Sequence, residues 1–250
     1  MKKLFLFSII ACIAFFSSAQ QTVFEESETV YSSETAGGIT LHTNGWGINF
    51  YTAKYITGFT KRMWHFELVG MTNPRQYRIP VDRGSYFYGK LNSVTFIRTS
   101  WGYQKVFIPR QSVQGISISY VVNAGITHGF AKPIYLKIRE NNNNYTDQKY
   151  DPEEHNRNNI VGRSPYYIGF DEIKYFPGLF LRTALNFDYG GKSNMVRAIE
   201  VGLAADLFLD GIPMMAYEDP RAYFFTAFVN FEFGGRKFDG QTKENTSQFE

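Results

Sequence analysis

Three stretches near the C-terminus alternate in side-chain polarity with a period of two residues: 179–189, 197–209 and 223–233. In the first stretch, one parity carries Leu179, Leu181, Leu185, Phe187 and Tyr189, broken only by Thr183, and the other carries Phe180, Arg182, Ala184, Asn186 and Asp188. Period two is the mark of a β-strand whose two faces meet different surroundings. The polar face of a soluble sandwich is usually crowded with Lys, Glu and Thr, whereas Gly, Ala and Asn dominate here. The pattern therefore favours a membrane β-barrel over a secreted sandwich.

The N-terminus has the composition of a secretory leader. Lys2 and Lys3 precede an apolar run over residues 4–16, and small residues follow at 17–19. This predicts a signal peptide over residues 1–19, with cleavage before Gln20. Cys12 allows a lipoprotein processing site as an alternative, but the apolar run continues beyond it, which disfavours that interpretation. Since Cys12 is the only cysteine, the mature chain is expected to have no disulfide and no thiolate metal site.

Composition agrees with a barrel. Aromatic residues make up 18% of the chain, yet the mean hydropathy is only -0.28, as expected when half of each strand is polar and the loops are long. After the leader, no segment has the length and apolar content of a transmembrane helix. The formal net charge is +3 and no basic patch stands out in the sequence, so nucleic acid is not expected as a partner.

The rest of the chain divides into three parts. Residues 20–36 form a polar N-terminal arm whose Glu25, Glu26, Glu28 and Glu34 are expected to be solvated. Residues 37–238 form the predicted outer-membrane β-barrel, and residues 239–250 form a polar C-terminal tail. The expected fold class is all-β, an antiparallel transmembrane β-barrel of about eight strands, with ten possible. An even number is usual for bacterial single-chain barrels.

Several strand boundaries stay open from sequence. The apolar parity changes at Asn44-Gly45, which indicates either a hairpin turn or a bulge. Two candidate strands lie within 86–108. Residues 116–138 form either one long strand or two, because residues 125–133 fit both a turn and a bulged middle.

Residues 140–177 are predicted to be a long irregular loop on the extracellular side. The segment is rich in oxygen ligands, among them Asp147, Asp151, Glu153 and Glu154. Their spacing does not match the EF-hand pattern, so a solvated loop is favoured over a calcium site.

Charged residues on the polar parity are expected to face the barrel interior. An eight-stranded barrel is just wide enough to be filled by its own side chains. Arg182 is predicted to pair inside with Glu200, Asp206, Asp188 or Glu232, since buried charges are tolerated only when they are paired and hydrogen-bonded. Such a network would fill the interior and leave no wide aqueous channel.

The sequence contains no recognisable catalytic motif. The histidines His42, His65, His128 and His155 lie in no nucleophile motif such as Gly-x-Ser-x-Gly. We therefore assign no catalytic, cofactor-binding or metal-binding residue and expect no cofactor.

Several short motifs resemble a group of small outer-membrane barrel proteins from Bacteroidota-type envelopes. They are the leader ending in Ser-Ala-Gln, Thr43-Asn44-Gly45-Trp46-Gly47, Tyr86-Phe87-Tyr88-Gly89-Lys90-Leu91-Asn92, Lys132-Pro133-Ile134-Tyr135 and Phe231-Glu232-Phe233-Gly234. The resemblance is loose but covers most of the mature chain. The resemblance implies an outer-membrane location. Because some small barrels of such envelopes are accessory subunits of secretion or barrel-assembly machines, it also implies a role of that kind.

These observations predict a non-enzymatic outer-membrane β-barrel protein that acts as a structural or accessory component of an assembly or secretion complex. Its expected partners are the outer-membrane lipid bilayer and other outer-membrane or periplasmic proteins. A small pore or transporter and a lipid-modifying outer-membrane enzyme remain as alternatives.

Overall fold

The structure is a computed structural model that describes residues 31–81, 84–110, 115–140, 144–156, 158–190 and 194–238. The predicted signal peptide, residues 20–30 of the arm and the predicted tail lie outside the described residues. The strands are β1 (Tyr31–His42), β2 (Gly45–Thr57), β3 (Thr60–Met71), β4 (Arg78–Val81), β5 (Gly84–Phe87), β6 (Asn92–Ile108), β7 (Ser117–Pro133), β8 (Tyr135–Arg139), β9 (Tyr145–Lys149), β10 (Ile160–Arg163), β11 (Lys174–Asp188), β12 (Met195–Ile212) and β13 (Arg221–Phe238).

Eight long strands close into an antiparallel barrel in the order β1-β13-β12-β11-β7-β6-β3-β2. The three alternating stretches predicted near the C-terminus lie in β11, β12 and β13, and the prediction of an eight-stranded antiparallel barrel is confirmed. Each strand pairs with its barrel neighbours along most of its length, and β1 closes the ring on β13 from Tyr31 to His42.

The open choices of the sequence are now settled. Asn44-Gly45 is a hairpin turn, because β1 ends at His42 and β2 begins at Gly45. Gly45 has a φ of 145°, and a Cβ there would lie 2.2 Å from the carbonyl oxygen of Gly70, so only glycine fits. Between residues 116 and 138 there are two strands: β7 runs unbroken through residues 125–133, and β8 follows outside the barrel.

Two boundaries expected from sequence are wrong. The barrel begins at Tyr31, so residues 31–36 belong to β1 and not to a polar arm. Glu34, expected to be solvated, faces the interior and is 1% exposed. The segment 140–177 is not irregular, since it contains β9, β10 and the beginning of β11. Short strands of four or five residues carry too little alternation to be recognised from sequence.

The strands are tilted, as the pairing register shows. A register row is obtained by starting at Ser33 on β1 and stepping from each residue to its register partner on the next strand around the barrel. This row passes through Lys54, Arg62, Tyr103, Val122, Thr183, Leu203 and Ala227. Thr43 donates its backbone N–H to the carbonyl of Ala227 at 3.0 Å. The row therefore rejoins β1 ten residues beyond its start, at 43 and not at 33. Such an offset is what a closed barrel of tilted strands requires.

The polarity of the barrel wall is inverted relative to a soluble protein. Large apolar side chains cover the outside, such as Phe225 at 68% and Leu203 at 62% exposure. Charged side chains lie inside, such as Arg182 at 1% and Asp206 at 0%. Water disfavours such an apolar wall, whereas the hydrocarbon core of a bilayer accommodates it, and closure pairs the backbone groups. The fold is a transmembrane β-barrel.

No helix in the part of the chain that the structure describes is long and apolar enough to cross a membrane.

The two ends of the barrel differ in their connections. At the end that carries Tyr31 and Phe238, here called the turn end, the strands are joined over residues 58–59, 109–116 and 189–194. At the opposite end, here called the loop end, the connections include residues 72–91 and 134–173. Short turns on the periplasmic side and long loops outside the cell are usual for outer-membrane barrels.

The long loops fold into an ordered cap over the loop end. Strands β4 and β5 form a hairpin, and β10, β8 and β9 form a three-stranded sheet in that order. Tyr86, Leu136, Ile138, Tyr150 and Ile160 are buried together between them. The cap, defined as the described residues among 72–91, 134–173 and 213–220, therefore has a hydrophobic core of its own.

Candidate functional site in the barrel interior and the cap

The interior charges follow from strand parity. Glu67 lies between Phe66 and Leu68 on β3, and Arg182 lies between Leu181 and Thr183 on β11. In both cases the two neighbours face outward and the charged side chain faces the interior. A charge inside so narrow a barrel has only the opposite wall and its neighbours as partners, so it must pair across the interior.

Arg182 is the centre of the interior network. Its Nε and Nη2 donate to Glu200 Oε1 at 3.0 Å and 2.6 Å. Its Nη1 donates to Glu67 Oε1 on the opposite side of the barrel. Arg182 also stacks over the ring of Phe228, with its guanidinium carbon 4.1 Å from the ring centroid. One guanidinium thus ties three strands together across the lumen.

A second guanidinium extends the network. Arg98 donates to Glu67 Oε2 at 2.9 Å and holds Asp206 through two hydrogen bonds, at 3.0 Å to Oδ1 and 2.6 Å to Oδ2. Glu67 therefore bridges Arg98 and Arg182. Planar guanidinium groups suit this arrangement because they present several donors in fixed directions.

Amides solvate the carboxylate of Glu232. Asn186 Nδ2 and Asn230 Nδ2 each donate to it at 2.8 Å, to Oε2 and Oε1 respectively. Asn49 in turn donates to Thr40 Oγ1 at 2.8 Å and to Asn230 Oδ1. Glu232 is 1% exposed and Asn230 is 0% exposed, so this polar layer is closed to solvent.

A separate cluster lies near the turn end. Glu34 accepts hydrogen bonds from Tyr51 at 2.6 Å and Tyr55 at 2.7 Å, and it also pairs with Lys61. Arg236 donates to Glu34 at 2.9 Å and reaches Asp188 with its other nitrogen. Asp188 is further paired with Arg110 at 3.2 Å. The cluster ties the first and last barrel strands together.

A cavity of about 260 Å³ opens beside this cluster at the turn end. Lys61, Gln104, Arg110, Asp188 and Arg236 contribute polar groups to its lining. All three cations are already paired with Glu34 or Asp188. The residues that line the cavity all lie in the turn-end part of the strands or in the turns that join them.

An apolar layer fills the loop-end section of the interior. The rings of Phe96 and Phe208 are 4.8 Å apart, and Phe224 packs edge-on against Phe96 at 5.2 Å. Val69 and Ile212 complete the layer and are excluded from solvent. The polar network lies below this layer and the cap above it, so buried side chains fill the described interior between the turn end and the cap.

The predicted interior network is confirmed in outline and corrected in its pairs. Arg182 binds Glu200 as expected. Asp206 instead binds Arg98, Asp188 binds Arg110 and Arg236, and Glu232 is held by amides. Sequence reasoning missed a further set of inward charges: Glu34, Lys61, Glu67, Arg98, Arg110 and Arg236. The sequence does contain a sign of the inward position of Glu67 and Arg98. Each is a charged residue next to an apolar one on an alternating strand, so the two side chains must lie on opposite faces.

The four histidines lie in four different environments. His65 is buried in the interior, with Nε2 3.4 Å from Arg182 Nη1, and His42 Nδ1 accepts from the backbone of Asn44 at the hairpin. His128 contacts the Tyr175 hydroxyl at 2.7 Å, and His155 in the cap contacts Gln148 at 3.0 Å. No two histidines share a site in the described residues.

Within the described ranges, no group of three or more His, Cys, Asp or Glu side chains is placed to hold a metal ion. Asp147 and Asp151, considered as calcium ligands from sequence, have protein partners in the cap. Asp147 accepts from Ser164 Oγ at 2.6 Å, and Asp151 accepts from the backbone N–H of Glu153 at 2.9 Å.

Charged and polar contacts hold the parts of the cap together. Lys149 pairs with Glu172 at 2.6 Å, and the Tyr135 hydroxyl also donates to Glu172. The hydrogen bond from Lys149 lowers the pKa of Glu172, and the one from Tyr135 adds to this effect. On the other side, Asn73 donates to Glu218 at 2.7 Å and lowers its pKa in the same way.

The cap exposes a cluster of aromatic side chains. Tyr166, Tyr167 and Phe170 lie in one turn and are between 50% and 73% exposed. The turn requires Gly169, whose φ is 86° and whose Cβ would lie 2.7 Å from the Tyr135 ring. Lys132 approaches the ring of Tyr166 at 4.8 Å and donates to the carbonyl of Ile168 at 2.9 Å. The turn is therefore fastened to β7 while its rings face outward.

The sequence matches no family model and no curated protein. Among solved structures, it is similar to Ail, the attachment invasion locus protein of Yersinia pestis, in complex with the heparin analogue sucrose octasulfate. That match has 12% identity and a TM-score of 0.42, covering 82% of this chain and 97% of the other. The N-terminal β-barrel domain of Pseudomonas aeruginosa OprF gives 10% identity and a TM-score of 0.37, covering 82% and 98%. Neisserial surface protein A gives 8% identity and a TM-score of 0.38, covering 83% and 96%. The fold assignment rests on the strand pairing described above.

Proposed function

We propose that this protein is a non-enzymatic outer-membrane β-barrel that serves as a structural or accessory component of an outer-membrane assembly or secretion complex. The observation that carries the proposal is the combination of an interior filled by buried side chains with a folded cap. Neither feature suits a channel, while together they suit a rigid membrane anchor that presents a fixed surface outside the bilayer.

The outer membrane is the membrane that fits such a chain. Closed barrels with an even number of strands, short turns at the end of both termini and long loops at the other are typical of bacterial outer-membrane proteins. The predicted secretory leader supports export to that compartment. In this orientation the turn end faces the periplasm and the cap faces the cell exterior.

The aromatic turn of the cap is the surface that we assign to partner binding. Exposed tyrosine and phenylalanine side chains on a rigid element are favoured at the centres of protein interfaces, because they bury a large area at little conformational cost. Tyr166, Tyr167 and Phe170 meet that description.

A pull-down from native outer membranes in mild detergent, with mass spectrometry of the co-eluting proteins, tests the proposal. We expect stoichiometric recovery of other envelope proteins by the tagged wild type. The variant Y166S/Y167S/F170S should lose them. The control Y120S/V122S removes exposed apolar side chains from the lipid-facing wall of β7 and should keep them. Recovery of the barrel alone by the wild type would contradict the proposal.

A further inference from the structure

The outer wall carries a cluster of cations that the sequence does not reveal. Lys54 on β2 and Arg62 on β3 are direct register partners, and Lys105 on β6 pairs with Thr60, two residues from Arg62. All three side chains face outward and are exposed. Because they are far apart in sequence, only strand pairing brings them together. We call these three residues the cationic patch.

The patch lacks a protein counter-charge. Like charges directly across an antiparallel pair repel each other, and such pairs normally cost stability. The outward residues of β2, β3 and β6 around the patch are apolar, aromatic or hydroxyl-bearing, with no acidic side chain among those described. None of the three cations forms an ion pair with a described residue. The arrangement is therefore suited to an anion from outside the protein.

The patch lies at one level of the barrel wall. Register rows climb toward the loop end by about 1.25 residues per strand, since ten residues are gained over eight strands. After correction for this climb, Lys54, Arg62 and Lys105 lie within about one residue of a single level, or about 3 Å along the barrel axis. A horizontal band of cations is what a membrane surface would meet.

Aromatic side chains mark the membrane side of the patch. Trp64 follows Arg62 on the same face of β3 and lies directly across from Trp101 on β6. Tyr103 is the register partner of Arg62, and its ring packs edge-on against Trp101 at 4.8 Å. Tryptophan and tyrosine favour the boundary between hydrocarbon and headgroups. The cations thus lie where lipid phosphates are found.

We infer that the cationic patch binds the phosphate groups of anionic phospholipids in the leaflet at the turn end, with Trp64, Trp101 and Tyr103 packing on the adjoining glycerol and acyl segments. The inference rests on the proposed membrane placement, in which this leaflet is the periplasmic one. It adds a preferred lipid partner and a preferred side of the barrel, β2-β3-β6, for that partner.

Quenching of tryptophan fluorescence by brominated lipids tests this directly. The chain has three tryptophans, and the W46F background leaves Trp64 and Trp101 as reporters beside the patch. The full mature chain is reconstituted in mixed phosphatidylglycerol and phosphatidylcholine bilayers, with bromine on one lipid or the other. We expect brominated phosphatidylglycerol to quench more strongly, with a preference of about fivefold for each cation engaged.

Two charge-matched variants locate the preference. R62Q removes the central cation of the patch, and R197Q removes one outward cation of the same end from β12. The first should lower the preference about fivefold, as expected for loss of one cation, and the second should retain it. In the W46F protein with all three patch cations, the preference for phosphatidylglycerol should also weaken as the NaCl concentration rises to about 0.5 M, because exposed charges are screened.

Two results would overturn the inference that the patch binds anionic lipid. One is equal quenching by the two brominated lipids in the W46F protein, and the other is an equal loss of the phosphatidylglycerol preference in both variants. Absence of quenching by either lipid has a different meaning: the barrel would then not be in the bilayer, and the proposed membrane placement would fail together with the patch.

Discussion

The middle and the loop-end section of the barrel interior are filled by opposite chemistry. In the middle, Arg98 and Arg182 hold Glu67, Asp206 and Glu200 through charge-assisted hydrogen bonds. A few residues higher, the interior is a packed apolar layer around Phe96 and Phe208. Both sections face inward from the same strands, and both exclude water.

The difference teaches how an inside-out protein can be closed. An apolar layer closes the interior by shape alone and tolerates loss of a group by leaving a cavity. A polar layer closes it only when each charge keeps its partner, because an unpaired buried charge costs several kcal/mol. The two layers should therefore respond differently to matched substitutions.

The largest effect is expected in the polar layer. Replacement of Arg182 by methionine leaves Glu200 without its cation and Glu67 with Arg98 alone, and it should lower the free energy of unfolding by about 3–5 kcal/mol. Urea unfolding of the barrel in lipid vesicles measures it. Arg197→Met, on the outward face of β12, is the control and should change stability by no more than about 0.5 kcal/mol. A cost below about 1 kcal/mol for Arg182→Met would show that the network is not closed.

The apolar layer should respond next. Phe96→Ala removes a ring that is 0% exposed and should cost about 3 kcal/mol through lost burial and a residual cavity. The matched change Phe225→Ala lies on the lipid-facing wall, where lipid chains can fill the space, and should cost clearly less in the same unfolding assay. Equal costs at the two positions would contradict the assignment of inner and outer faces.

Much of this arrangement was predictable, and the remainder has a physical reason. The alternation in β11 to β13 identified the barrel and the inward side of Arg182. It did not identify Glu67 and Arg98 as partners, since parity gives the face of a residue but not which strand lies opposite. That choice depends on strand order and on the offset of ten residues at closure. The cationic patch was not predicted from the sequence for the same reason, since its residues lie on three different strands.

The cap offers a smaller, local test. Gly169→Ala places a Cβ against the Tyr135 ring at a positive φ and should destabilise the aromatic turn by about 1–2 kcal/mol. Limited proteolysis of the cap should become faster while barrel unfolding stays unchanged. Gly84→Ala, where a Cβ would meet open space but φ is also positive, separates backbone strain from the steric clash. A barrel that unfolds earlier in Gly169→Ala would mean that cap and barrel are one cooperative unit.

The smallest effect is expected from acidification of the cap. The pKa of Glu172 is lowered from its ordinary value of 4.5, mainly by the hydrogen bond from Lys149. A lowered pKa stabilises the folded cap above the ordinary value, and this contribution is lost as the pH falls below 4.5 through the folded-state pKa. The protection of β8 and β9 amides against hydrogen exchange, corrected for the intrinsic exchange rate at each pH, should therefore decrease at acidic pH. Glu172→Gln should weaken that dependence, and an unaltered profile would speak against the contact.

Conductance in planar bilayers tests the sealed interior most directly. Purified barrel, shown by protease resistance to be folded, is inserted and recorded at a range of voltages. The sealed polar and apolar layers predict a baseline without steady open steps for the wild type. Stable, porin-like conductance steps from the folded wild-type protein would contradict a closed interior and would favour a pore.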